Sequence, residues 1–143
     1  MKKCWNIGII GYTGMVGQEL TGIFETGAYG VLDLSETEVK IVYKRNSTGE
    51  KGKLEDCDVV FLATKDKASL DSAGEVLAAG AKCIDMRRAF RLDKESFEKW
   101  YGLEHTEPEL LKEAVYGMPA LNREKIKNAR LIANPGCYAT SVI

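Results

Sequence analysis

The stretch WNIGIIGYTGMVG, Trp5–Gly17, decides how this chain is read. Its first half, Trp5–Ile10, is a short apolar run ending in glycines, the pattern of a buried strand. From Met15 to Phe24 the apolar residues fall at helical spacing instead, at Val16, Leu20, Ile23 and Phe24, with Gly27 and Gly30 as stop signals. Gly8, Gly11, Gly14 and Gly17 mark the junction. Dinucleotide sites use glycine at such a junction for two reasons. The turn needs unusual backbone angles, and a pyrophosphate must approach bare N–H groups at a helix N-terminus. The spacing is GxxGxxG rather than GxGxxG, so the position after a strand and before a helix carries more weight than the glycines themselves. Close helix–strand packing alone is the alternative reading of the same residues.

Working outward, Val39–Tyr43 reads as a second strand, Asp58–Ala63 as a third, Ala81–Asp85 as a fourth and Arg130–Ala133 as a fifth. Ser69–Ala79 reads as a helix ending at Gly80, and the segment from Asp93 to Glu113 as helical pieces interrupted by Gly102 and Pro108. Strands alternating with helices predict a doubly wound, Rossmann-like parallel sheet with helices on both faces. At 143 residues the chain has room for one such domain and no second. With 20 Lys and Arg against 21 Asp and Glu, it lacks the basic excess of a general nucleic-acid binder. No apolar run is long enough for a membrane span. Cys4, Cys57, Cys83 and Cys137 lie far apart, there is no CxxC, and His105 is the only histidine, so zinc spacings are absent. Free thiols in a reducing cytosol are expected, with Cys4, Cys57 and Cys83 as core fillers beside apolar strands.

The end of the second strand selects the cofactor. An NAD site offers a carboxylate there for the ribose hydroxyls, whereas NADP needs cations for its 2′-phosphate. Val39–Tyr43 runs into Lys44, Arg45, Asn46 and Ser47, while Asp33, Glu36 and Glu38 lie at the wrong end. Lys44 and Arg45 supply charge and the Ser47 hydroxyl can donate to a phosphate oxygen, which favours NADP. A solvated basic turn is the competing reading. After the fifth strand comes NPGCYATS, Asn134–Ser141. Asn134 suits an N-cap and Pro135 the first helical position, which puts Cys137 in a first helical turn, where free N–H groups and the helix dipole favour a thiolate. Cys137 is thereby a candidate nucleophile at a strand carboxyl end; a structural cysteine is the plainer reading of the same position.

NPGCYAT, WYGLEH (Trp100–His105), the run Pro108–Tyr138 and the GYTGMVG turn together resemble the N-acetyl-gamma-glutamyl-phosphate reductases. The resemblance covers essentially the whole chain. It implies an NADPH-dependent phosphorylating aldehyde dehydrogenase of arginine biosynthesis, cytoplasmic and homo-oligomeric when complete. In that picture Cys137 attacks N-acetyl-glutamyl 5-phosphate, phosphate leaves, and the thioacyl enzyme is reduced to N-acetyl-glutamate 5-semialdehyde. Gly11, Thr13, Gly14, Met15 and Val16 would hold the pyrophosphate, and Ala63 and Thr64 would line the cofactor cleft. Arg91 is a candidate for meeting the substrate's phosphate or carboxylate, with a surface arginine as its plain reading, and Asn134 is a further candidate for the substrate side. Semialdehyde dehydrogenases of the aspartate or aminoadipate type, and a stand-alone NADP-binding module, are the rival readings.

The chain departs from that family in three places. Arg87-Arg88-Ala89-Phe90-Arg91 stands where the family shows a Ser-Ala-Asp-Phe-Arg-like run, so Ala89 lacks the acid. Lys65 replaces a proline after the third strand, and the stretch between the second and third strands is short. The family's general acid/base is a histidine of a second domain. His105 is expected instead to be a partly exposed structural residue. The chain is expected to be the cofactor-binding part of the enzyme, cut just after the cysteine motif and inactive alone.

Overall fold

A computed structural model of the chain describes residues 3–27 and 36–142. The strands in chain order are β1 (Lys3–Ile10), β2 (Thr37–Asn46), β3 (Gly49–Lys51), β4 (Val59–Leu62), β5 (Lys82–Asp85), β6 (Ala114–Tyr116) and β7 (Leu131–Ala133). The α-helices are α1 (Met15–Thr26), α2 (Asp66–Ala78), α3 (Lys94–Tyr101), α4 (Pro108–Leu111), α5 (Pro119–Asn128) and α6 (Cys137–Val142). Among the described residues the strands form one sheet in the order β3-β2-β1-β4-β5-β7-β6. Every pairing is parallel except β2 with β3, which folds back antiparallel at the edge.

β1 is central because its last four residues, Ile7–Ile10, are buried on both faces. It pairs with β2 on one side and β4 on the other, so the chain's winding reverses between β1 and β4. Open α/β sheets place their ligands at the strand carboxyl ends beside such a reversal.

Two neighbouring side chains on β2 show that the sheet is covered twice. Consecutive strand residues point to opposite faces. Lys44 reaches Glu25 of α1 at 2.8 Å, and Arg45 reaches Glu75 of α2 at 2.8 Å. α1 and α2 therefore lie on opposite faces. β4 repeats the alternation: Phe61 meets Phe24 of α1, while Val60 and Leu62 join Leu70, Ala73 and Val76 of α2 in the core. The doubly wound expectation holds.

Several local expectations are corrected. β6 and α5 were not foreseen. Pro108 opens α4 as its first residue rather than interrupting a helix, because a missing N–H costs nothing there. Asn134 and Pro135 lie outside α6, which starts at Cys137, so neither serves as the expected cap or first helical residue. The Asn134 amide turns to the Pro135 carbonyl at 3.3 Å instead. Gly27 ends α1 in the left-handed region as expected (φ 69°), while Gly30 and Asp33 lie outside the described residues. Glu38 is inside β2 near its start, still at the end remote from the carboxyl edge. Cys57 and Cys83 are buried as expected, but Cys4 is exposed because it lies near the start of β1, before the strand enters the core. His105 is only 1% exposed, not partly exposed. Its ring sits edge-on to Phe90 and Phe97, its Nε2 donates to the Ala89 carbonyl at 2.7 Å, and its Nδ1 accepts from the Glu107 N–H at 3.3 Å.

The junction after β1 is closely packed. Gly11 has φ +87°, and a Cβ on it would stand 2.6 Å from the Ala63 carbonyl oxygen. A Cβ on Gly17 would overlap the Gly11 carbonyl. Gly17→Ala should therefore lower stability by roughly 1–3 kcal/mol, the usual cost of overpacking. Gly22→Ala, at an open position of the same helix, should raise it by roughly 0.5–1 kcal/mol. Thermal unfolding of the two variants checks both signs.

Candidate active site

Two clefts open along the carboxyl edge of the sheet. The first, about 650 Å³, takes in Gly11, Thr13, Gly14, Met15, Val16, Arg45, Ser47 and Thr64, so the residues expected to hold the cofactor line one space, Lys44 excepted. The turn is shaped for an anion. Gly14 is the N-cap of α1, which has no side-chain cap and no acidic residue in its first turn, and this leaves its N–H groups for a ligand. Gln18 Nε2 donates to the Thr13 carbonyl at 2.8 Å and holds the turn in place. The close approach of Gly11 to Ala63 brings the ends of β1 and β4 together, as a backbone cradle requires. The residues present fit a dinucleotide pyrophosphate.

Of the two cations expected after β2, only Arg45 faces this cleft; Lys44 is turned to the other face by its ion pair with Glu25. The Arg45 guanidinium is held by both carboxylate oxygens of Glu75 (2.9 and 2.8 Å) and by Ser72 Oγ (2.9 Å). It is oriented in advance, but part of its charge is already shared.

The second cleft, about 1140 Å³, brings together Arg91, Asn134 and Cys137, the expected substrate residues and nucleophile. Its walls come from the loops after β5, β6 and β7. Cys137 is exposed at the start of α6. Arg91 ties two of the loops together. Its Nε donates to the Asn134 carbonyl at 2.7 Å, its Nη2 to the Met86 carbonyl at 3.4 Å, and a Cβ on Gly136 would stand 3.1 Å from its Nη1. Its first effect is thus to hold the backbone that carries Cys137. Asn134 enters by its backbone as well, donating N–H to the Asp85 carbonyl at 2.9 Å.

The loop after β5 is organised by a buried carboxylate. Asp85, 0% exposed, accepts from the Arg87 N–H at 3.2 Å, the Ala89 N–H at 3.1 Å and the Ser69 hydroxyl. Burial pushes its pKa above the usual carboxylate value; these hydrogen bonds and the nearby Arg91 charge pull the other way. Ser69 also meets Thr64 Oγ1 at 3.1 Å, which ties Asp85 to the wall of the first cleft. Ala89 is fully buried with its N–H on Asp85 and its carbonyl on His105, so an acid there would be buried beside Asp85.

Arg87, part of the Arg87-Arg88 doublet that departs from the family run, carries no local sequence signal that marks it as a cleft residue. Arg87 and Val16 line both clefts. Met86, Gly117 and Met118 carry no such signal either. The last two follow β6, a strand that the apolar pattern did not reveal. Among the described residues neither cleft is lined by a histidine, an aspartate or a glutamate, and no cluster of three or more metal-ligating side chains occurs.

These features define a class: a doubly wound nucleotide-binding domain with a cationic site at the sheet's carboxyl edge. A family model described as semialdehyde dehydrogenase, NAD binding domain, matches residues 6–129. The chain belongs to that family. It is 42% identical over 152 aligned residues to the N-acetyl-gamma-glutamyl-phosphate reductase of Nitrosomonas eutropha, covering 96% of this chain and 44% of that protein. It is 39% identical over 159 residues to the reductase of Acinetobacter baumannii, with the same coverage. The chain thus spans about 44% of the length of these curated relatives. Among solved structures, aspartate semialdehyde dehydrogenase II of Vibrio cholerae, complexed with ASA, is alike in fold, with TM-score 0.58, 16% identity, and coverage of 95% of this chain and 43% of that one. A probable aspartate-semialdehyde dehydrogenase of Pseudomonas aeruginosa gives TM-score 0.55, 18% identity, and coverage of 98% and 40%. No helix among the described residues is long and apolar enough to cross a membrane.

The four thiols should separate by reactivity. Burial pushes the Cys57 thiol up to about 11 and raises that of Cys83 further. At pH 8 only about one Cys57 in a thousand is ionised. Iodoacetamide should label exposed Cys4 and Cys137 quickly and the other two only after unfolding, as read by peptide mass spectrometry. Raising the pH to 9 should leave the order unchanged.

Proposed function

We propose that this chain is the cofactor-binding, thiol-bearing part of an N-acetyl-gamma-glutamyl-phosphate reductase. The observation that carries the reading is the meeting of the two clefts at Val16 and Arg87, which brings the glycine turn and Cys137 to one edge of the sheet. The identity to curated reductases supports the substrate assignment.

In this reading the Cys137 sulfur attacks the acyl carbon of N-acetyl-glutamyl 5-phosphate. A C–S bond forms, the C–O bond to phosphate breaks, and phosphate leaves with the bonding electron pair, giving a thioacyl enzyme. NADPH, when bound, would supply the hydride that takes the thioester to the aldehyde level, and the Cys137 sulfur would leave as thiolate and take up a proton to return to the thiol. Gly11, Thr13, Gly14, Met15 and Val16 hold the pyrophosphate, Thr64 lines the wall beside it, and Arg45 with Ser47 binds the 2′-phosphate. Arg91 and Asn134 hold the loop that carries Cys137 and complete the substrate side. Cys137 needs a proton acceptor from outside both clefts, because His105 is locked in the core against Ala89 and Phe97. The complete enzyme is read as a cytoplasmic homo-oligomer. Exposed Met15, Tyr138 and Val142 around the clefts are surface that further protein would cover.

Calorimetric titration tests the cofactor assignment. NADPH should bind about tenfold or more tightly than NADH, the effect of one charge-assisted phosphate contact. Arg45→Gln should erase that preference, and Glu75→Gln, which frees Arg45, should widen it several-fold. Equal affinity for the two cofactors, or affinity for neither, rejects the assignment.

A further inference from the structure

Three guanidinium groups leave the loop after β5, and two are already engaged. Arg88 donates to Asp66 through Nε at 3.2 Å and Nη2 at 2.6 Å and stacks over Tyr101 at 4.2 Å. Arg91 is held by the carbonyls of Asn134 and Met86. Among the described residues Arg87 has no side-chain hydrogen bond, ion pair or ring contact. Its backbone is nonetheless fixed, because its N–H is bonded to buried Asp85. It is an exposed cation on a rigid root, and the only charged residue lining both clefts. Among the described residues no carboxylate lines either space to neutralise it.

An unneutralised guanidinium that lines the same cleft as a thiol fits a compact dianion, which its fork can grip by two oxygens. We propose that Arg87 binds the phosphate group that Cys137 displaces. The inference rests on the acyl-phosphate reading above and adds a residue to it. As the Cys137 C–S bond forms and the C–O bond breaks, negative charge builds on the departing phosphate oxygen. Arg87 meets that charge, the phosphate takes a proton from solvent, and nothing is oxidised or reduced in the step. Asp85 keeps the arm's root in place through the Arg87 N–H, and Ser69 steadies Asp85 in turn. The other phosphate within reach belongs to the cofactor in the neighbouring cleft, so the test must separate the two.

The experiment titrates inorganic phosphate into the chain saturated with NADP+, so that the cofactor cleft is filled, and reads binding by the 31P linewidth. NADPH affinity is measured separately by calorimetry. Wild type should bind phosphate, and Arg87→Gln should weaken that binding about tenfold or more while NADPH affinity stays within about twofold. Arg87→Lys should keep an intermediate affinity, since the charge remains and the fork is lost. Arg45→Gln should show the converse pattern. Circular dichroism checks that each variant is folded. Unchanged phosphate binding in Arg87→Gln, or none in wild type, overturns the proposal. A parallel loss of NADPH affinity overturns it too, by assigning Arg87 to the cofactor's phosphate. Failure of the underlying reading is distinct: wild type would then bind no NADP+ at all, whereas failure of the Arg87 assignment alone leaves cofactor binding and Cys137 labelling intact.

Discussion

The carboxyl edge of this sheet depends on one buried carboxylate. Asp85 ends β5 with no exposure, and its oxygens take the N–H groups of Arg87 and Ala89 and the hydroxyl of Ser69. Its own carbonyl takes the N–H of Asn134, so the loop that carries the arginines and the loop that carries Cys137 are joined at a single residue. Burying an acid is costly unless its oxygens are satisfied, and a site that satisfies them tolerates few other arrangements of the surrounding loops. Through Ser69 and Thr64 the same anchor reaches the cofactor cleft. His105 reinforces it from the far side by holding the carbonyl of Ala89.

Charge is distributed around that anchor with a clear division. Acidic side chains stand behind the clefts and basic ones within them. Asp66 orients Arg88, Glu75 orients Arg45 and Glu25 withdraws Lys44, while no acid among the described residues lines either space. A cation paired behind the wall is oriented at little entropic cost but shares its charge, whereas an unpaired one keeps its full charge for a ligand. Arg45 and Arg87 are the two cases.

Much of the fold was legible because its signals are local. The strands β1, β4 and β5 are apolar runs, the glycine turn follows the first of them, and α1 has helical periodicity, so the alternation that defines a doubly wound sheet can be read directly. β6 was not legible, since Ala114–Tyr116 is only three residues long and exists by pairing with β7. α5 carries a non-helical residue at Asn122 and no side-chain cap, which weakens its pattern. Asn134-Pro135 looked like a helix start, yet the backbone there is committed to Asp85 and Arg91 before the helix begins.

By itself the sequence determined the alternation of strands and helices, the position of the glycine turn, and the placing of Cys137 just after a strand end. Each of these follows from residue type and spacing along the chain. Which cations would face the clefts was decided only by tertiary structure. Lys44 and Arg45 are neighbours in sequence, but strand geometry sends them to opposite faces, where Glu25 and Glu75 hold them. Arg87, Arg88 and Arg91 share one short loop, and only the packed positions of Asp66, Asn134 and Met86 leave Arg87 free. Partners brought from distant parts of the chain determine which charge remains available, and no local pattern encodes them.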